Sequence, residues 1–200
     1  MIHEWFNAGQ VLIPVKTMIR NYQQWSPHLA GSVYVDPQAT VVGRATIGAD
    51  SSVWPQAVIR ADIHRIEIGA RSNIQDGAVL HVTHDSEYTP GGRPLLIHDD
   101  VTVGHNATLH GCTIESTCLI GMGSIVLDAA VLESGVMLGA GSLVTPGKRL
   151  EGGYLWMGAP ARRVRKLTAE EQAYLPYAAA HYVREAAKYR MTGDLQNLDD

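Results

Sequence analysis

The chain is predicted to be an all-β protein wound as a parallel β-helix, with a helical segment at its carboxy end. Three observations lead there. Aliphatic residues recur at every sixth position along most of the chain, small residues recur four places after them, and glycines recur at a separation of eighteen.

The aliphatic anchors run Val35, Val41, Ile47, Val53 and Ile59, then Ile68, Ile74 and Leu80, then Ile97, Val103 and Leu109. Ile114, Ile120, Val126, Leu132, Leu138 and Val144 complete seventeen hexads, and Leu29 stands where an eighteenth would begin. A period of six fits neither the 3.6-residue stripe of an amphipathic helix nor the strict alternation of a two-sided strand. Each hexad instead supplies one short strand and one corner, and three hexads close a triangular coil of eighteen residues. Gly121 and Gly139 then occupy equivalent places on successive coils, as do Gly123 and Gly141. The anchors point inward and stack on those of the next coil at about 4.8 Å, the spacing of paired strands. Ala39, Ala45, Ser51, Ala57, Ser72, Ala78, Ala107, Cys118, Ser124, Ala130 and Ser142 fill corners too tight for larger side chains.

The rhythm breaks in three places. Ile59 to Ile68 is nine residues instead of six, Leu80 to Ile97 is seventeen, and Leu109 to Ile114 is five. The second break expels a segment near Thr83 to Pro94, whose Pro90-Gly91-Gly92 marks it as an external loop. After Val144 the repeat ends, and Thr168-Ala169-Glu170-Glu171 reads as a capped helix start, with Thr168 as cap and Glu171 three places on. Pro176 is expected to divide the helical segment, leaving residues 177–190 as the longer piece, with Tyr177, Tyr182, Val183 and Tyr189 packed on the coil. The domain plan is an amino-terminal extension over 1–28, a β-helix over 29–150, and a connector with a helix packed on the prism over 151–200. Residues 1–17 are expected to contribute little to it.

Composition limits the function. The 20 acidic and 16 basic residues show no cluster of five or more like charges, so neither nucleic acid nor an anionic membrane surface is an expected partner. A small, nearly neutral molecule fits better. Cys112 and Cys118 are too few for a disulfide framework and lack paired zinc-site spacing, so they read as a turn residue and a small core residue. The apolar run Val11 to Val15 is too short for a secretory core or a spanning helix, and a cytoplasmic location is expected.

The coil register turns spacing into a site. His81 and His110 each follow a stacked anchor, Leu80 and Leu109, by one residue, so they lie on adjacent coils where both imidazoles can lean toward a metal at about 2.0–2.1 Å. His105 follows Val103 by two and falls on the preceding face. Arg60 and Asp62 lie one coil before His81, while Asp76 lies one coil before His105, with Gln75 beside it. Two faces thus carry complementary groups. Three prisms around a threefold axis would set one face against the other and give each metal two histidines from one chain and one from the next. Arg60 and Asp76 would pair across that boundary. Three neutral nitrogens leave a fourth position for water, the open arrangement of a catalytic zinc. His3, His28, His64, His98 and His181 keep the reading of ordinary surface or corner residues.

Ile59-Arg60-Ala61-Asp62, Ser72 through Gly77, Leu80-His81, Gly104-His105 and Leu109-His110-Gly111-Cys112 together resemble the γ-class carbonic anhydrase family, in particular its short bacterial branch. The likeness runs from about residue 19 into the carboxy-terminal helix. It implies the left-handed β-helix of the hexapeptide-repeat superfamily, a homotrimer with metal sites at the subunit interfaces, and zinc, or iron or cobalt, on His81, His105 and His110. The reaction implied is reversible hydration of carbon dioxide to bicarbonate, in which the metal brings the pKa of a water to about 7 and delivers hydroxide to carbon. Gln75 would hydrogen-bond the reacting oxygen, and Asn73, Arg60, Asp62 and Asp76 would support the pocket and the interface. The family's archetype carries glutamates where this chain has Ile63 and His84. Ile63 cannot carry a proton, which leaves His84 or Glu87 of the external loop. Other readings of the same prism are a CoA-dependent acyltransferase or thioesterase with a histidine base, and a non-catalytic, metal-stabilised trimeric scaffold.

Overall fold

The computed structural model describes residues 18–196, so the expectation for residues 1–17 lies outside the described residues. Within them the chain winds as a left-handed parallel β-helix of hexad coils, closed by one carboxy-terminal helix. The anchors sort into three stacks, one per face. Ile19, Val41, Ile59, Leu80, Leu109, Val126 and Val144 line the first. Leu29, Ile47, Ile68, Ile97, Ile114, Leu132 and Leu150 line the second. Val35, Val53, Ile74, Val103, Ile120, Leu138 and Trp156 line the third.

Burial of these stacks holds the fold together, because a hexad alone has no second layer to cover its apolar side. From Val41 to Leu150 no anchor is more than 3% exposed. The small corner residues named above are all buried as well, Cys118 among them. Both cysteines are free and buried, and burial pushes both thiols up, that of Cys118 to about 12.

The register runs past Val144, where the aliphatic count had put its end. Leu150 pairs with Leu132, and Trp156 pairs with Leu138. An indole replaces an aliphatic anchor in this last coil and donates its Nε1–H to the Glu151 carbonyl at 3.1 Å. The ladder also begins early, since Met18–Arg20 pairs with Thr40–Val42. Beyond the last coil, Arg162–Lys166 turns back to pair antiparallel with Tyr154–Met157.

All three breaks in the rhythm fall at one corner, between the first and second faces. In the earliest, the strands Thr40–Ile47 and Val58–Ile68 run on around the corner, and their register shifts between Gly43 and Ala45 so that residues 62–65 bulge outward. In the next, the loop leaves as predicted and closes on itself: Thr83 and Arg93 exchange backbone hydrogen bonds of 3.1 and 2.9 Å. His64 Nε2 donates to the Gly91 carbonyl at 3.2 Å and ties the loop to the bulge. In the last, Gly111 makes the shortened turn at φ 53°.

The carboxy-terminal helix α1 spans Ala169–Gln196 without interruption, so Pro176 does not divide it. Proline deletes one hydrogen bond and crowds the preceding turn, but here packing on the third face overrides that preference. Leu175, Ala178, Ala179 and Ala186 are buried, and the Tyr182 and Tyr189 rings lie edge-on to Trp54, with centroids 5.4 and 5.2 Å away. Tyr177, expected to pack, is instead 58% exposed. The start is the predicted capping box: Glu171 N–H donates to Thr168 Oγ1 at 3.2 Å, and the Thr168 N–H donates to the Glu171 carboxylate at 2.9 Å.

Candidate metal centre

The corner with the broken rhythm carries the site. Leu80 and Leu109 are register partners, and so are His81 and His110. Their rings face each other across one coil step, with His81 Nδ1 and His110 Nε2 separated by 3.2 Å. The bulge at residues 62–65 brings Asp62 to the far side of His81, where Nε2 donates to Asp62 Oδ1 at 3.1 Å. His110 Nδ1 is held the same way by Asp128, whose oxygens accept at 3.1 and 3.2 Å.

Asp128 was not among the residues singled out in the sequence. It lies two residues past Val126, which stacks on Leu109, whereas His110 lies one past Leu109, so the coil register did not point to it. Thr83 Oγ1, at the root of the external loop, also donates to Asp128. Gly111 keeps this corner open, because a side chain there would meet the Asp128 carboxylate and Arg93.

Arg60 donates to Asp62 at 2.6 Å within the same chain. Burial raises the Asp62 carboxyl, but the hydrogen bonds from Arg60 and His81 and the Arg60 charge outweigh it and hold the group below the usual carboxylate range. Burial also lowers the His81 imidazole, more than the Asp62 carboxylate raises it. At neutral pH this pairs an ionised Asp62 with a neutral His81. An ionised carboxylate only accepts, so the ring proton lies on Nε2 and the lone pair on Nδ1.

His105 stands elsewhere, on the corner between the third and first faces. Its Nδ1 pairs with Asp76 at 2.9 Å, and its side chain is 40% exposed. Gln75 and Asn73 are buried beside it. Gln75 Nε2 donates to Asn73 Oδ1 at 3.1 Å, Gln75 Oε1 accepts from the His105 backbone N–H at 3.2 Å, and Asn73 Nδ2 donates to Thr102 Oγ1 at 3.0 Å. One chain therefore brings Arg60, Asp62, His81, His110 and Asp128 together, and separately Asn73, Gln75, Asp76 and His105. The first set follows the first-face anchors Ile59, Leu80, Leu109 and Val126, and the second flanks the third-face anchors Ile74 and Val103. Among the described residues no group of three or more histidine, cysteine, aspartate or glutamate side chains is arranged to hold a metal ion within one chain.

The donor set fits a divalent metal. Two ligands of a tetrahedral zinc with bonds of 2.0–2.1 Å lie about 3.3 Å apart, close to the 3.2 Å between the facing His81 and His110 nitrogens. All three histidines have one nitrogen on a carboxylate, the arrangement that fixes the tautomer and raises the basicity of the other nitrogen. His84 and Glu87 lie exposed on the external loop, and Ile63 is 38% exposed at the bulge.

Among the described residues no helix is long and apolar enough to cross a membrane. No protein-family model matches the chain. Protein YrdA of Escherichia coli is 49% identical over 177 residues, 88% of this chain and 96% of that one. A carbonic anhydrase of Geobacillus kaustophilus is 42% identical over 173 residues, 86% of this chain and 91% of that one. The mitochondrial γ-carbonic anhydrase 2 of Arabidopsis thaliana is 42% identical over 161 residues, 80% of this chain and 58% of the plant protein. Among solved structures, a hexapeptide transferase family protein of Anaplasma phagocytophilum superposes with a TM-score of 0.77 at 40% identity, covering 84% of this chain and 96% of that one. With the two bacterial relatives matched over nearly their full length, and with the register placing the histidines as described, the chain belongs to the γ-class carbonic anhydrase family.

Proposed function

We propose that the chain binds zinc, with iron or cobalt as the other candidates, at centres shared between the subunits of a homotrimer, and that this assembly interconverts carbon dioxide and bicarbonate. The observation that carries the reading is the pair of facing nitrogens on His81 and His110. With both outer nitrogens donating to carboxylates, two lone pairs meet at 3.2 Å, an arrangement that repels unless a cation lies between them.

When bound, the metal supplies Lewis acidity that brings the pKa of a water to about 7. The chain's own residues do the rest. Asp62 and Asp128 hold the two rings in the tautomer that offers a lone pair inward, and Arg60 keeps Asp62 ionised. His105, from the neighbouring copy, completes the donor set, with Asp76 fixing its ring. Gln75 retains one amide N–H beyond its bond to Asn73, and that N–H orients the substrate oxygen at the completed corner. Protons leave through the external loop, by His84 or Glu87, because Ile63 holds none.

A second reading draws on a cleft of about 580 Å³ between α1 and the third face. Leu119, Met137, Met157 and Tyr174 line it, together with His105. An acyl chain in that cleft would present a thioester to a histidine base.

The test is carbon dioxide hydration by anaerobically purified protein of known metal content, beside His81→Ala and His105→Ala. Metal-dependent hydration lost in both variants supports the first reading. A fully metallated trimer that hydrates nothing sinks it; cleavage of acyl-CoA by that trimer would move the function to the second reading, and no turnover of either would leave a metal-stabilised scaffold.

A further inference from the structure

Asp62 and Asp128 hold the two facing imidazoles from opposite sides of the corner, and the chain also joins these carboxylates to each other. Asp62 Oδ1, which accepts from His81 Nε2, accepts from the Ile63 backbone N–H as well, at 2.9 Å. The shape of the bulge therefore aims the Asp62 carboxylate. His64 follows directly. Its Nδ1 accepts from the Arg65 N–H at 2.8 Å, which leaves the ring proton on Nε2, and Nε2 donates to the Gly91 carbonyl in the external loop at 3.2 Å. Gly92 is wedged beside it: a Cβ there would come within 2.8 Å of His64 Cδ2 and 2.6 Å of the Thr83 carbonyl oxygen. Thr83 in turn donates to Asp128.

These contacts close a ring. It runs from His81 through Asp62, Ile63, His64, the Gly91–Gly92 turn, Thr83 and Asp128 to His110, and back to His81 across the 3.2 Å gap. The loop half is stiff, because Thr83 and Arg93 exchange backbone hydrogen bonds, Ser86 and Thr89 do the same, and the Gly91 N–H donates to Asp85 at 2.7 Å. His64 is the side chain that carries the ring from bulge to loop. Two lone pairs facing each other would turn the imidazoles aside unless the groups behind them were fixed, and a ligand set binds well only when its supports hold it near the productive geometry. A closed ring supplies that restraint to both imidazoles at once.

We propose that His64 is a positioning residue that locks Asp62 and Asp128 to one another, so that both imidazoles stand lone pair inward before a cation arrives. The proposal rests on the metal reading above and names the residue that presets the two-histidine half of the centre. His64 acts through the two carboxylates. A ring is opened by cutting it anywhere, so loss of His64 and loss of the Thr83 hydroxyl have one consequence, and the second cut adds little to the first.

The test uses the full chain. In metal-free protein, isotope-edited NMR follows the ring N–H signals of His81 and His110. His64→Leu shifts both, His110 on the far side of the corner included; His64→Gln, whose amide donates to Gly91 in place of Nε2, returns them toward the parent. Cobalt titrated against a chromophoric chelator binds His64→Leu about threefold to tenfold more weakly, below the loss of about 10–100-fold that removing a supporting carboxylate causes, and His64→Gln recovers the affinity. Thr83→Val costs less affinity in the His64→Leu background than in the parent. A clip that serves stability alone lowers the denaturation midpoint and leaves the His110 signal and the affinity at parent values. That outcome overturns the proposal, as do additive losses in the double variant or a His64→Gln variant no better than His64→Leu. A parent chain that binds no cobalt overturns the metal reading instead, and the metal-free NMR comparison still decides the role of His64.

Discussion

His81 and His110 stand on adjacent coils with Nδ1 of one 3.2 Å from Nε2 of the other, and each turns its outer nitrogen to a carboxylate, Asp62 or Asp128. A repeat of eighteen residues stacks side chains that are far apart in sequence, and the carboxylates then choose which nitrogen faces inward. Four expectations follow from this corner and from the elements that hold it.

Asp128→Asn removes the charge that supports His110. Losing such a partner weakens a metal site by about 10–100-fold while leaving the ligands in place. Titration against a chromophoric chelator should show that loss with the trimer intact. Thr83→Val, which removes only the loop's hydrogen bond to Asp128, should show much less. Equal affinity in Asp128→Asn and the parent would remove Asp128 from the site.

Gly43 sits at φ 77° where the strand register shifts, and a side chain there would run into the Ala61 carbonyl beside Asp62. Gly43→Ala should cost about 1–3 kcal/mol from the left-handed backbone alone, read as a lower denaturation midpoint. Metal affinity should fall with it, because the bulge carries Asp62. A variant as stable as the parent would show that the corner can relax.

Glu171 makes the start of α1 sensitive to acid. Hydrogen bonds from Arg165, then from Thr168, hold its carboxyl near 2, below the usual 4.5. A carboxyl lowered by folding stabilises the folded state above its unfolded pKa, and that contribution fades as pH falls from about 4.5 toward about 2. Protection of the Glu171 and Gln172 amides, relative to their intrinsic exchange at each pH, should fall across that window. In Arg165→Ala the window should shrink, since the main cause of the shift is gone; an unchanged window would contradict the assignment.

Ile63→Glu restores a proton-carrying group at the bulge. Hydration in dilute buffer should rise about tenfold or more, within the range for a positioned acid or base. The gain should shrink in concentrated buffer, which carries the proton itself. Equal rates in both buffers would mean that proton exit does not limit this chain.

The hexad period by itself determined the prism, its inward anchors and the adjacency of His81 and His110, because a strict repeat converts sequence separation directly into height on a stack. It also placed Asp76 one coil before His105. Tertiary structure decided the rest. Trp156 extends the core although it is not aliphatic, since the last coil has no further stack to fit. Pro176 stays inside α1 because Leu175, Ala178 and Ala179 are buried on the third face, and burial outweighs one missing hydrogen bond. Asp128 reaches His110, and Asp62 reaches His81, through a corner whose insertions obey no period, so side-chain geometry there was not legible from spacing. Which of the three faces meets a helix depends on which column α1 covers, and only packing settles that.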